Sequence, residues 1–175
     1  MPPVKRKSKT LSVDQASNQA GVSLWSPTSD LLACTVLQSE SPKDPFSKRV
    51  TDQVEQLNTF LEEHLADGEE ITHVLFEGVR SRLVLVTVGA YMTCPYLMAG
   101  LSPQHSFVES RTWKAWAKRH GAKAFISEIK GIQSLLETGF NMPPGMPLTE
   151  DIADSIMMYL AWKERHEPEV PQRVS

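Results

Sequence analysis

Residues 10–37 read TLSVDQASNQAGVSLWSPTSDLLACTVL. Three runs in this stretch carry a strand signal. Thr10–Asp14 alternates apolar and polar residues, with Leu11 and Val13 on one side, and residues 20–25 and 31–37 are two further strand-like runs. Pro27-Thr28-Ser29-Asp30 marks a turn between the last two. Three strands with short connections predict an antiparallel meander. The period then changes: Phe46, Val50, Val54, Leu57, Leu61 and Leu65 recur at three and four, with acids on the other face. That predicts an amphipathic helix over 46–66, ended by Asp67-Gly68. Residues 71–76 predict a fourth strand, 81–99 a second helix and 105–109 a fifth strand. A helix over 111–120 follows, capped by Ser110 and stopped by Gly121. A helical stretch over 124–137, a loop over 140–147 and a last helix over 150–163, capped by Thr149, complete the chain. This order implies an α/β fold, a mixed sheet of about five strands with helices on its faces.

The chain has 175 residues, 41% of them hydrophobic, enough for one domain with a real core and too few for two full lobes. Residues 1–9 read as a basic disordered arm, 10–164 as the domain and 165–175 as a polar tail. Two separated cysteines, Cys34 and Cys94, exclude a disulfide scaffold and a zinc–thiolate site and suit a reducing compartment. The apolar stretch near 83–101 is broken by Thr87, Gly89, Thr93 and Pro95, so it reads as a buried helix, not a membrane span. No apolar signal core follows the basic start.

A net charge of −3 hides an uneven distribution: residues 38–70 hold nine acids against three bases, and residues 105–130 hold six bases against two acids. A basic strip on an acidic protein can meet a polyanion, although a solvated helix face explains the same pattern.

The acids fall at informative places. Asp14 ends the first strand and Glu77 follows the fourth. Asp151 and Asp154 are three apart on the last helix and so share a face. Strand ends form the rim where open α/β sheets place ligands. If the last helix packs beside the first and fourth strands, four carboxylates converge. Two carboxylates about 4 Å apart repel by about 4 kcal/mol at an effective dielectric of 20. A hard cation with oxygen ligands, usually Mg²⁺, relieves this. Two such ions, about 3.5–4 Å apart, form the arrangement that cleaves phosphodiesters by activating water and stabilising the leaving 3′ oxygen. Each acid also has a structural explanation. Asp14 can open a turn, Glu77 can be a solvated strand end, and Glu150 and Asp151 suit a helix first turn. Asp154 lies deeper, among Ile152, Ala153, Ile156 and Met157, where a structural helix rarely places an acid.

Leu11-Ser-Val-Asp14 followed by Gly21 resembles the opening of RuvC-type Holliday junction resolvases. Val74-Leu-Phe-Glu77 resembles the family's second acidic position, and Leu148-Thr-Glu-Asp151-Ile-Ala-Asp154-Ser-Ile resembles its closing helix. Trp113-Lys114 and Gly121-Ala-Lys123 resemble its basic stretch. The resemblance spans residues 10–163. It implies an RNase H-like, retroviral-integrase-like five-stranded mixed sheet, three antiparallel strands then two parallel. It also implies a homodimer and Mg²⁺-dependent symmetric nicking of four-way DNA junctions. Catalysis and metal binding would fall to Asp14, Glu77, Asp151 and Asp154, with two ions per site and Mn²⁺ able to substitute. The setting would be the cytoplasm of a bacterium or of a phage-infected host, with no membrane partner.

The sequence departs from the pattern in three places. Gln15-Ala16 stands where the family commonly has Pro-Gly. Val79, Arg80, Ser81 and Arg82 stand where bacterial members often carry a wedging aromatic, and the Lys5–Lys9 arm has no counterpart. These departures fit a divergent, phage-type member. For DNA contacts the sequence offers Lys114, Lys123, Lys118 and Arg111, with Arg80 and Arg82 beside Glu77. Trp113 and Trp116 read as core or interface, and the apolar helix at 83–99 as buried in part in a dimer interface or else only against its own sheet. Competing readings are another RNase H-like nuclease acting on branched DNA or RNA–DNA hybrids, and a catalytically silent DNA-binding module. A two-lobed sugar-kinase-type ATPase is excluded by length and by the absence of a phosphate loop.

Overall fold

Alternation along the strands decides which side chains meet. In the computed structural model, which describes residues 7–16, 18–78, 81–98 and 103–166, the elements run β1 (Lys7–Asp14), β2 (Gln19–Trp25), β3 (Leu31–Gln38), α1 (Phe46–His64), β4 (Glu69–Gly78), α2 (Arg82–Tyr91), α3 (Pro95–Met98), β5 (Gln104–Glu109), α4 (Ser110–Arg119), α5 (Gly131–Glu137) and α6 (Glu150–His166). The five strands form one sheet in the order β3-β2-β1-β4-β5. The first three are antiparallel, and β1–β4 and β4–β5 are parallel. This is the mixed sheet expected from the sequence.

Leu11 and Val13 on β1, with Val74 and Phe76 on β4, point into a core covered by α1, α2 and α3. Their neighbours in sequence face the other way, because successive strand residues alternate. On that second face Trp25, Leu75 and Val108 pack against Trp113 of α4, Leu135 of α5 and Ile152, Ile156 and Tyr159 of α6. Trp25 stacks on Tyr159 with ring centroids 4.0 Å apart. Trp113 and Trp116 are buried, as expected of core residues. Both cysteines are buried free thiols.

The elements depart from expectation where a single residue interrupts the period. The helix expected over 81–99 ends at Tyr91, and Pro95 starts a separate short turn of helix. Between them the chain makes a tight turn, with the Cys94 amide donating to the Tyr91 carbonyl. The stretch expected to be helical over 124–137 is a 3-10 turn at Ile126–Glu128 followed by α5. They are separated where Gly131 takes φ +73°. Lys7–Lys9, assigned from sequence to the arm, begin β1. Lys9 is buried and ion-paired with Glu69 at 2.7 Å. At the other end, Arg165 and His166 extend α6 instead of starting the tail. Lys5, Arg6 and Arg80 lie outside the described residues. Among the described residues, no helix is long and apolar enough to cross a membrane.

Candidate active site

The alternation that buries Leu11 and Val13 on one face puts Ser12 and Asp14 on the other, where α6 lies. On β4 it does the same for Leu75 and Glu77. The parallel register sets Val13 beside Phe76 at the end of the ladder, so Asp14 and Glu77 leave the sheet at one level. Their carboxyls are in hydrogen-bonding contact. Asp14 is 8% exposed.

Helix α6 brings the other two acids. Gly21, paired with Asp14 across the β1–β2 ladder, has no Cβ to hold the helix off. Serines replace large side chains beneath it. The Ser12 hydroxyl donates to the Ser155 carbonyl at 2.7 Å, and Ser155 Oγ donates to Ser23 Oγ at 3.1 Å. These buried bonds fix the residue next to Asp154 to the sheet. At the start of α6, the Ile152 amide donates to Thr149 Oγ1, so Thr149 caps the helix as its sequence position predicts.

Burial raises the Asp14 carboxyl to about 10, reinforced by its contact with Glu77 and by the negative charges of Glu77, Asp154 and Asp151. Burial likewise pushes Asp154 up to about 7. The Gly131 amide, donating to Asp154 Oδ1 at 2.6 Å, and the Lys114 ammonium act against that rise, while Glu77 and Asp151 add to it. Asp151 is raised by burial and opposed by a hydrogen bond from Gln19 Nε2. All four acids named from sequence therefore lie within one electrostatic neighbourhood, contributed by two strand ends and one helix.

Several residues that hold this arrangement carry no obvious signal in the sequence. Gln15, 6% exposed, bonds both backbone groups of Glu77: the Glu77 amide donates to Oε1 at 2.9 Å and Nε2 donates to the Glu77 carbonyl at 2.6 Å. Gln19 holds Asp151. The start of α5 closes over α6, with Gly131 on Asp154 and the Ile132 amide on Glu150 Oε2 at 3.1 Å. A glycine inside an apolar helical period is the one signal that could have marked a break at 131.

The donor set consists of oxygen, carries excess negative charge and contains no sulfur or imidazole, which fits a hard divalent cation. Asp14 and Glu77 are in contact, and Asp151 and Asp154 act on Asp14 through charge. Among the described residues, no three His, Cys, Asp or Glu side chains are gathered into a ready metal-binding group. The residues fit such an ion in chemistry, with the Asp14–Glu77 pair as its core.

The basic residues divide. Lys114 is half-buried on α4, its ammonium 5.5 Å from the Trp113 ring and close enough to act on Asp154. Arg82 and Arg111 line one open cavity of about 790 Å³ with Gly78, Leu85 and Phe107, just beyond Glu77. Lys123 is exposed after Gly121. Lys118 is exposed too, but its ammonium donates to the Lys123 and Ala124 carbonyls at 3.1 Å each. It therefore shapes the turn that presents Lys123. Lys130, counted only in the basic strip, immediately precedes the glycine bonded to Asp154.

No protein-family model matches the chain, and no curated protein matches it in sequence. Solved structures do match in fold. RuvC from T. thermophilus in complex with a Holliday junction substrate superimposes with a TM-score of 0.60 at 15% identity, over 91% of this chain and 96% of that one. A second structure of Thermus thermophilus RuvC gives a TM-score of 0.57 at 15% identity, over 90% and 96%. The chain thus has the RNase H-like fold of RuvC, as its sequence motifs led one to expect.

Proposed function

We propose that the chain is a divalent-metal-dependent endonuclease that resolves four-way DNA junctions by paired symmetric nicks, acting as a homodimer. One observation carries this reading: Asp14 is buried against Glu77 with two more acids in range, an arrangement that repels itself unless a proton or a cation intervenes. It occurs at the ends of two central strands, in a fold shared with a RuvC that was solved on a Holliday junction.

In this reading Asp14, Glu77, Asp151 and Asp154 hold two Mg²⁺ ions, with Mn²⁺ able to substitute. Bound there, the ions supply the Lewis acidity and charge neutralisation that phosphodiester hydrolysis needs. Lys114, beside Asp154, binds the phosphate nearest the acids. Arg82 and Arg111 take the phosphates running past Glu77, and Lys123 extends the track. Phosphate contacts of this kind select for the shape of a junction instead of its base sequence. Helix α2 provides the dimer face, since Leu83 and Val86 are each 58% exposed on it.

The test is cleavage of a synthetic four-way junction beside plain duplex and an RNA–DNA hybrid, with Mg²⁺ or with chelator, by wild type and by Asp14→Asn. Junction cleavage that needs both Mg²⁺ and Asp14 is expected. Preference for the hybrid replaces junction resolution with a different nuclease activity. Cleavage that survives in Asp14→Asn or in chelator removes the proposed chemistry. Junction binding without cleavage under any metal leaves a silent DNA-binding module.

A further inference from the structure

The parallel ladder between β1 and β4 ends at Val13↔Phe76, one residue before the two acids that matter most. A strand residue turns its amide and its carbonyl to the same neighbour. On β4, Phe76 and Gly78 therefore alternate with Glu77 in the direction of their backbone groups. No β1 residue is registered against Glu77, since the pairing stops at Val13↔Phe76. Buried backbone groups do not stay unpaired. The side chain of Gln15 fills the place. Its amide group presents a donor and an acceptor in one plane, as a peptide does, and it bonds both backbone groups of Glu77, at 2.6 and 2.9 Å. It does so while buried, with little freedom to turn away.

We infer that Gln15 is a positioning residue: its side-chain amide takes the place of the missing ladder rung and locks the backbone of Glu77 to the residue adjoining Asp14, so that the carboxylate pair is assembled before any ion arrives. This inference rests on the nuclease reading above. A proline and glycine at positions 15 and 16, the pair that the resembling family commonly carries, have no side-chain amide with which to form these bonds. The device therefore belongs to this chain's own departure from that pattern.

Two features separate it from general structural support. Both of its bonds go to one residue, and that residue carries a proposed metal ligand. The two bonds of Gln15 go to the backbone of Glu77 and not to its carboxylate. It acts on where Glu77 stands, leaving the charge of the site unchanged.

The experiment has three readouts on the full chain. In wild type without metal, the Glu77 amide proton and the Gln15 side-chain amide protons should exchange slowly with solvent, measured by NMR, as protected groups do. In Gln15→Ala, the Glu77 amide should exchange much faster, and Mn²⁺ alone, titrated by calorimetry, should bind about 10–100-fold more weakly, the range typical for residues that orient metal ligands. The Mg²⁺ concentration giving half-maximal junction cleavage should rise by a similar factor, while junction affinity in chelator stays within about twofold. Gln15→Met, of similar size and without hydrogen-bonding groups, should reproduce these changes if Gln15→Ala folds poorly. Free-rate exchange at Glu77 in wild type, or Mn²⁺ affinity unchanged in a folded variant, overturns the positioning role and leaves the nuclease reading standing. A wild-type chain that shows the slow exchange but takes up no Mn²⁺ removes the nuclease reading, and the positioning role with it.

Discussion

Gly21 and Asp151 meet with no side chain between them: a Cβ on Gly21 would overlap the Asp151 carbonyl and stand 2.6 Å from the Ile152 amide nitrogen. Gly21 is also the cross-strand partner of Asp14. The glycine therefore sets the distance between the helix that carries two acids and the strand that carries a third. Gly21→Ala cannot be accommodated by rotating a side chain, because the obstructing atoms are backbone. The variant should lose at least about 100-fold in junction cleavage, consistent with the cost of roughly 1 Å misplacements at a reacting centre. Circular dichroism should show an intact fold with a lowered melting temperature. Full activity in the variant would mean that α6 need not sit where it does.

The carboxyl group of Asp14 makes the metal-free protein sensitive to pH. Folded, it holds its proton up to about 10, against an ordinary value of 3.8. A raised carboxylate value contributes stability that is complete below the unfolded value and is lost as pH climbs toward the folded one. Asp154, raised to about 7, adds a loss over the lower part of that window. In chelator the protein should therefore melt at a lower temperature at pH 8 than at pH 5, and Mg²⁺ should restore part of the difference. Asp14→Asn should abolish cleavage while raising the chelator melting temperature at pH 8 by about 3 °C or more. A variant less stable than wild type at pH 8 would contradict this account.

Lys114 and Lys123 are proposed to contact phosphates, and each phosphate contact adds to the salt dependence of binding. Lys114→Ala with Lys123→Ala should weaken junction binding at low salt and reduce the slope of log affinity against log salt by about two. Lys118→Ala should act differently. Its ammonium holds the Lys123 and Ala124 carbonyls, so its loss should loosen the turn and lower the melting temperature. Unchanged salt slopes in the double variant would move the DNA surface elsewhere.

The exposed side of α2 provides the fourth test. Leu83→Glu with Val86→Glu places two charges on a face that is apolar and open in the single chain. If this face joins two copies, sedimentation should shift from dimer to monomer, and paired nicking should give way to slow single nicks. A wild-type chain that is monomeric at working concentration would remove this interface.

The acids could be found in the sequence because each ends or interrupts a period. Asp14 closes an alternating run, Glu77 follows an apolar strand, and Asp154 intrudes on an apolar helix face. Those are local signals, and alternation then fixes which face of the sheet they share. The residues that hold the acids were not legible in the same way. Gln15 and Gln19 look like ordinary turn residues, and their partners, Glu77 and Asp151, are distant in sequence. Lys118 looks like any exposed lysine until its ammonium is seen on two carbonyls. Gly131 hid in a helical period because the apolar pattern continues across it, while its positive φ and its bond to Asp154 depend on α6 being in place. Hydrogen bonds between side chains and distant backbone leave no periodic trace.

The order in which these elements leave the ribosome has its own consequence. The sheet can pair as soon as β5 has emerged, but Asp151 and Asp154 come on the last helix, after the rest of the described fold. Docking of that helix is what brings the four acids together. A partly made chain would own the Asp14–Glu77 pair without the other two acids, and on the proposed reading it would not yet cut nucleic acid. Under the proposed function, hydrolytic power would appear only once α6 has docked.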